Sequence, residues 1–248
     1  MSEFLGWRAQ TSIAENYLNA VESMLSTEEN FNNFRSGSGG YAPILEHLTQ
    51  NEGQIYANYI LENYPELLSY LDKFRENDSV GNPILFEYKN LGRFNPTTLR
   101  YIKFLGDIRK TFGDLDDIHL VEIGGGYGGL VKMLSNFYDF KTVKLFDLRK
   151  PLLLQKKYLN GFNIDVELYT HEDMFNINEN TLVISNYAWC ECDRNTRDLY
   201  VDKIINKSKY VYMVVYDVDM DGELMVMDGE KTLEKETLNE CRIFTLKK

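Results

Sequence analysis

Five of the six residues from Gly124 to Gly129 are glycine, and a carboxylate, Glu122, stands two places before them. The run Val121-Glu122-Ile123-Gly124-Gly125-Gly126-Tyr127-Gly128-Gly129 leads from an apolar segment through a turn into Leu130, Val131 and Leu134 at helical spacing. Backbone without side chains can pass close under a ligand, and a helix start offers free N–H groups at the positive end of its dipole. Gly124, Gly126 and Gly129 satisfy G-x-G-x-x-G, and Asp147 closes the next apolar run, where a carboxylate would accept hydrogen bonds from ribose hydroxyls. A nucleoside cofactor is therefore expected, and on spacing alone a dinucleotide is admitted. A tight turn in a noncatalytic α/β domain is the alternative that so many glycines disfavour.

Glu122 bears on the choice of cofactor. E-x-G-x-G is typical of methyltransferases, whereas a dinucleotide site usually has an apolar residue here, because pyrophosphate repels a nearby carboxylate. The sulfonium and amino group of S-adenosylmethionine are cationic, so an acidic site tolerates or helps them. Gly125, Tyr127, Leu148 and Asn186 are expected to line the same site. His171-Glu172-Asp173-Met174 follows the third strand at the carboxyl edge, where open α/β sheets hold their ligands. There Glu172 or Asp173 could accept the adenine amino group, with Met174 or Phe175 against the ring; a solvated turn is an equal alternative.

The fourth strand ends as Ser185-Asn186-Tyr187-Ala188-Trp189-Cys190-Glu191-Cys192-Asp193, a mixture of polar and aromatic groups where an acceptor is expected to meet the cofactor. Methyl transfer from a sulfonium is an in-line displacement, so alignment and proton removal are the enzyme's tasks. A general base adds about 10²–10⁴-fold. Glu191 is the first candidate and His47 the second; Glu191 could instead cap the following helix, and His47 could be an ordinary helix-surface residue. Arg93 and Arg100 are candidates for an anionic group of cofactor or substrate, with surface ion pairing as the default. Thr97, Tyr101 and Trp189 are placed on the substrate side with them. Asp217-Val218-Asp219-Met220-Asp221-Gly222 with Asp228 follows calcium-loop spacing, but the preceding Tyr210–Tyr216 run reads as a strand rather than an entering helix. It is read as an acidic turn, with no metal ligand assigned and divalent-ion dependence undecided.

These residues need a scaffold. From about 11 to 112 the chain reads as helical and irregular, with no convincing strand: apolar residues recur at helical spacing from Ile44 to Phe74, and Ser36–Gly40 is a loop. Asn95-Pro96 reads as an N-cap and first helical position, and Gly113 as the stop. From Ile118 strands (118–124, 142–148, 165–170, 181–187 and 210–216) alternate with helices (127–138, 151–160 and 196–206). Met225–Met227 and Cys241–Leu246 are left for the last strands. Several strands are almost wholly apolar, as when helices cover both faces of a parallel sheet.

The 248 residues carry a formal net charge of -11, which argues against duplex nucleic acid, whose phosphates need clustered Lys and Arg. Three cysteines without a CxxC pair suggest neither a disulfide framework nor a zinc site. No signal peptide or membrane span is read, so a cytoplasmic chain is expected. Aromatics in the helical half suggest a homodimer as readily as intrachain packing.

Taken together, VEIGGGYGGL, the LFDL strand end, QKKYL, ISNYAWCEC and the upstream RFNPTTLRYIKFLGDI resemble the sugar O-methyltransferases, from roughly Gly81 to Tyr216. The resemblance implies methyl transfer from S-adenosylmethionine, leaving S-adenosylhomocysteine, to a hydroxyl of a sugar, such as a deoxyhexose like rhamnose carried on a nucleotide or already in a glycan; charge and the lack of a span speak against nucleic-acid and membrane partners. It implies that Glu122, Gly124, Gly126 and Asp147 contact the cofactor and that Asn186, Tyr187 and Glu191 face the reaction centre. Where that family often has Ser or Phe, this chain has Trp189 and Cys190. The expected fold is α/β: a Rossmann-like, doubly wound, mostly parallel methyltransferase domain over 116–248, preceded by a helical accessory region over 1–115. An NAD-dependent oxidoreductase and a noncatalytic sugar-nucleotide or calcium-binding module are the competing readings.

Overall fold

A computed structural model describes residues 11–37, 42, 46–216, 230–233 and 241–248. The acidic turn from Asp217 to Asp228 and the Met225–Met227 run lie outside the described residues. The N-terminal region is built from helices α1 (Thr11–Ser26), α2 (Glu28–Asn32), α3 (Gln50–Asn63), α4 (Leu71–Arg75) and α5 (Pro96–Phe112). Local sequence explains their ends. Thr49 and Glu52 form a reciprocal capping box on α3. The Asn95 side chain accepts from Thr97 N–H at 2.8 Å to start α5, and Gly113, at φ 83°, ends it.

One expectation is corrected here. The helical region contains a two-stranded antiparallel hairpin, β1 (Phe86–Tyr88) with β2 (Gly92–Phe94). Three residues per strand are too few for a period of two to show in the sequence.

The second sheet has seven strands: β3 (His119–Ile123), β4 (Thr142–Phe146), β5 (Glu167–Tyr169), β6 (Thr181–Asn186), β7 (Tyr210–Tyr216), β8 (Glu230–Leu233) and β9 (Cys241–Lys247). Their spatial order is β5-β4-β3-β6-β7-β9-β8. Pairs from β5 through β7 are parallel, and β9 runs antiparallel to both of its neighbours. Helices α6 (Gly129–Ser135), α7 (Arg149–Asn160) and α8 (Arg194–Lys203) make the crossovers. The expected doubly wound, mostly parallel α/β sheet with helices before it is what the chain forms.

Each face of the sheet has its own core. Leu120, Leu145, Leu182, Ile184 and Tyr212 point to the face covered by α5, α6, α7 and the N-terminal helices. Val121, Ile123, Phe146, Val183 and Met213 point to the other, against Trp189, Tyr200 and Ile204. At the first face Gly106 lets the Tyr64 ring reach α5, since a Cβ there would lie 2.2 Å from it. Asp107, one residue on, ties three elements by accepting from Tyr64 and Tyr212 hydroxyls at 2.5 and 2.7 Å and pairing with Lys103 at 2.9 Å. The aromatics of the helical half are mostly spent inside the chain, and the large exposed hydrophobics among the described residues, Ile55, Ile84, Leu153 and Met174, include none. No helix among the described residues is long and apolar enough to cross a membrane.

Candidate active site

Strand alternation decides which polar groups meet. Glu122 shares the parity of Leu120, and Asn186 that of Leu182 and Ile184, so both extend from the face that carries α5 and the N-terminal region. Beyond β3 the chain turns through Gly124, Gly126 and Gly128, all at positive φ (72°, 58° and 96°). Gly125 lies on the Glu122 carboxylate: a Cβ there would be 2.4 Å from Oε2. The sequence supplied glycine where the backbone and an acid must touch.

Glu122 is 3% exposed, and its Oε2 has no hydrogen-bond partner. Burial, and then the charge of Asp147, push its carboxyl up to about 8. Asp147, also buried, accepts from Leu148 N–H and from Gln155 Nε2, both at 2.7 Å. Burial outweighs these bonds and raises it to about 7, with Glu191 adding in the same direction. Glu191 itself is raised by burial to about 7. Both side-chain atoms of the Asn186 amide are buried without a partner, as is Gln155 Oε1. Buried polar atoms are normally satisfied, so a ligand's donors and acceptors are the natural complement of this group. Its charge selects the ligand. A cation would relieve the repulsion among carboxylates, and a pyrophosphate would increase it.

Tyr187 follows Asn186 in the left-handed region at φ 68°, a conformation a non-glycine residue holds only when its surroundings impose it. Its N–H donates to Val214 O at 2.7 Å, and the Arg100 guanidinium lies 5.3 Å from its ring centre. Thr97, Arg100 and Tyr101, at positions i, i+3 and i+4 of α5, occupy one helix face. Tyr101 reaches the glycine loop, where a Cβ on Gly129 would be 2.5 Å from its ring. Asp193, not Glu191, caps α8, accepting from Thr196 N–H at 2.8 Å. That leaves Glu191 without the capping duty.

Other expected residues lie elsewhere. Tyr127 is 1% exposed and turned into the core: Asn77 Nδ2 donates to its hydroxyl at 3.0 Å, and Phe34, Arg35 and Tyr158 surround its ring. It anchors the loop from behind. Trp189 is buried on the opposite face of the sheet, with Val183 and Tyr200. Met174 is 98% exposed, while Phe175 packs on Phe146 with ring centres 4.6 Å apart. Asp173 closes a turn by accepting from the Thr170 N–H and hydroxyl, and Glu172 is exposed beside it. His47 is exposed in the loop before α3, and Arg93 is exposed on β2 opposite Glu87. Leu148, by contrast, stays beside the site, buried at the start of α7 with its N–H on Asp147.

Two residues at the site were not foreseen. Gln155 interrupts the apolar stripe of Leu152, Leu154, Tyr158 and Leu159 on α7, and that interruption was the available signal. Tyr17 comes from α1, which is fastened to α7 by the Glu22–Lys150 ion pair at 2.7 Å. Burial, followed by the nearby charges of Asp147 and Glu191, raises its phenol well above the ordinary value. Nothing in the α1 sequence announces that neighbourhood. Among the described residues no cluster of three or more His, Cys, Asp or Glu is arranged to hold a metal ion.

Numbered from β3, the strand order is 3-2-1-4-5-7-6, with an antiparallel seventh strand set between the fifth and the sixth. The dinucleotide order, 3-2-1-4-5-6, has no such insertion. The sheet is thus Rossmann-like and mostly parallel, with one antiparallel strand inserted before its edge. No family model matches the sequence, and no curated protein matches it. Solved structures with similar folds include an rRNA methylase from Streptococcus thermophilus, at 17% identity and a TM-score of 0.44, covering 62% of this chain and 97% of that one. A Thermoplasma acidophilum protein is similar at 14% identity and a TM-score of 0.43, covering 60% and 89% of the two chains. A protein named as a proposed sarcosine dimethylglycine methyltransferase from Galdieria sulphuraria is similar at 15% identity and a TM-score of 0.39; the match spans 48% of this chain and just under half, 46%, of that one.

Proposed function

We propose that the protein binds S-adenosylmethionine at the carboxyl edge of β3, β4 and β6 and transfers its methyl group to a hydroxyl of a sugar. The observation that carries the donor assignment is the Glu122 carboxylate, buried under Gly125 with one oxygen unpartnered and a second carboxylate beside it. Such a group accepts a hydrogen bond from an ammonium and repels a pyrophosphate, which favours this donor over NAD. Asp147 and Gln155 are disposed to take the ribose hydroxyls, and Asn186 offers a donor and an acceptor at the end of β6.

The bound donor supplies an electrophilic methyl carbon. The chain's own residues do the rest. Glu191, raised to about 7 by burial, accepts the proton of the acceptor hydroxyl, since a base whose proton affinity lies near the working pH serves best. Tyr17 and Tyr101 close the site from α1 and α5 and keep water from it. The family resemblance supports a neutral, hydroxyl-rich acceptor, and the acidity of the chain disfavours nucleic acid.

Thermal unfolding with S-adenosylmethionine, S-adenosylhomocysteine and NAD tests the assignment. A ligand present at one hundred times its dissociation constant stabilises by about 2.7 kcal/mol. Stabilisation by the two sulfur nucleosides is expected; a shift with NAD alone would overturn the reading.

A further inference from the structure

Glu46 lies in the loop before α3, and its side chain is 1% exposed. Its Oε1 accepts from Arg35 Nε at 2.7 Å, but its Oε2, also buried, has no partner. Arg35 cannot turn to serve it. The other four guanidinium N–H groups are spent on Asn77 O at 2.5 Å, Val80 O at 3.3 Å, Asp78 Oδ1 at 3.0 Å and Thr98 Oγ1 at 3.5 Å. A buried carboxylate held rigidly at one oxygen and open at the other is an acceptor waiting for a donor from outside the chain.

The surroundings identify the donor. Arg100 stands in the electrostatic neighbourhood of Glu46 and reaches over the Tyr187 ring, so it joins this loop to the end of β6. Thr97 lies one turn before Arg100 on the same helix face, and its Oγ1 is likewise buried and unpartnered; so are both amide atoms of Asn186. Arg35 and Arg100 already place positive charge beside Glu46, so a neutral O–H group fits better than a further cation. Burial holds the Glu46 carboxyl above its ordinary range despite Arg35.

We infer that Glu46, Thr97 and Asn186 form the acceptor subsite, which recognises a neutral polyhydroxylated molecule through hydrogen bonds from its hydroxyls, with Arg35 as the residue that positions Glu46. The inference rests on the methyltransferase reading given above and names the groups that choose its acceptor.

The test measures transfer of labelled methyl from S-adenosylmethionine to methyl α-L-rhamnopyranoside and methyl α-D-glucopyranoside by the wild type, Glu46→Gln and Thr97→Val. Loss of a hydrogen bond to a buried charged or hydroxyl group should raise the acceptor KM by about tenfold or more, with S-adenosylhomocysteine affinity held within about twofold. An unchanged acceptor KM in a folded Glu46→Gln protein overturns the subsite while leaving the methyltransferase reading intact. Should that variant fail to fold, an unchanged KM in Thr97→Val does the same. A wild type that binds S-adenosylhomocysteine but methylates neither glycoside overturns the sugar reading and the subsite together, and one that does not bind it overturns the donor assignment on which both stand.

Discussion

Glu122→Gln preserves the size of the side chain and removes its titrating carboxyl, so it should change stability and donor binding in opposite directions. In the free protein this carboxyl is raised from 4.5 to about 8. Between those values the unfolded chain has lost the proton and the folded chain keeps it. The folded state is therefore favoured fully below the lower value and loses that advantage as pH rises through the higher one. With about 1.4 kcal/mol per pKa unit, the buried carboxyl costs on the order of 3 kcal/mol at about pH 7 relative to acid conditions. The Gln variant lacks this contribution, so its urea-unfolding free energy should fall less steeply from about pH 5 to about pH 8. A residual slope should persist, because Asp147 and Glu191 are both raised to about 7 and act with the same sign. Donor binding should respond the other way. A cationic amino group binds the ionised carboxylate, so wild-type affinity for S-adenosylhomocysteine should rise by up to about tenfold per pH unit between about pH 6 and about pH 8, and the variant's should rise less. At the upper end the variant should bind about 10–150-fold more weakly, corresponding to a charge-assisted hydrogen bond of about 1.5–3 kcal/mol. Calorimetric titration at three pH values reads both effects. Equal affinity of variant and wild type at all three would refute the reasoning.

Glu191→Gln should lower kcat by about 10²–10⁴-fold at saturating acceptor while leaving S-adenosylhomocysteine affinity nearly unchanged; unaltered turnover removes Glu191 from the mechanism. Gly125→Ala would press a methyl group to 2.4 Å from Glu122 Oε2, so a destabilisation of about 1–3 kcal/mol and weakened donor binding are expected in thermal unfolding with and without S-adenosylhomocysteine. Binding as tight as wild type would show that the loop does not need to lie on the acid. Arg35→Met strands the buried carboxylates of Glu46 and Asp78, and urea unfolding should show a loss of about 3–5 kcal/mol. A loss under about 1 kcal/mol would mean that water replaces the guanidinium.

Much of the half that holds the seven-stranded sheet was legible because its signals are local. Apolar runs gave the strands, glycine marked the turn after β3, and Asn95 with Pro96 and Gly113 marked the ends of α5. Glu122 and Asp147 were legible for the same reason, being fixed to strand ends by spacing within their own segments. Tyr127 was placed at the cofactor because it sits among the loop glycines, but Phe34, Asn77 and Tyr158 draw its ring into the core from three distant segments. Met174 and Trp189 were placed by their nearness in sequence to strand ends; Met174, five residues beyond β5, is in solvent, and Trp189 packs into the second core on the far face.

The chain's sequence by itself determined the α/β class, the glycine turn and the acid that precedes it, since backbone freedom and alternating burial act over a few residues. Tertiary structure alone decided that Arg35 spends all its donors, that Glu46 and Asn186 keep unpartnered atoms, and that α1 brings Tyr17 within the electrostatic reach of Asp147 and Glu191. Whether a polar atom is satisfied depends on every segment that packs around it, and no single stretch of sequence contains that information.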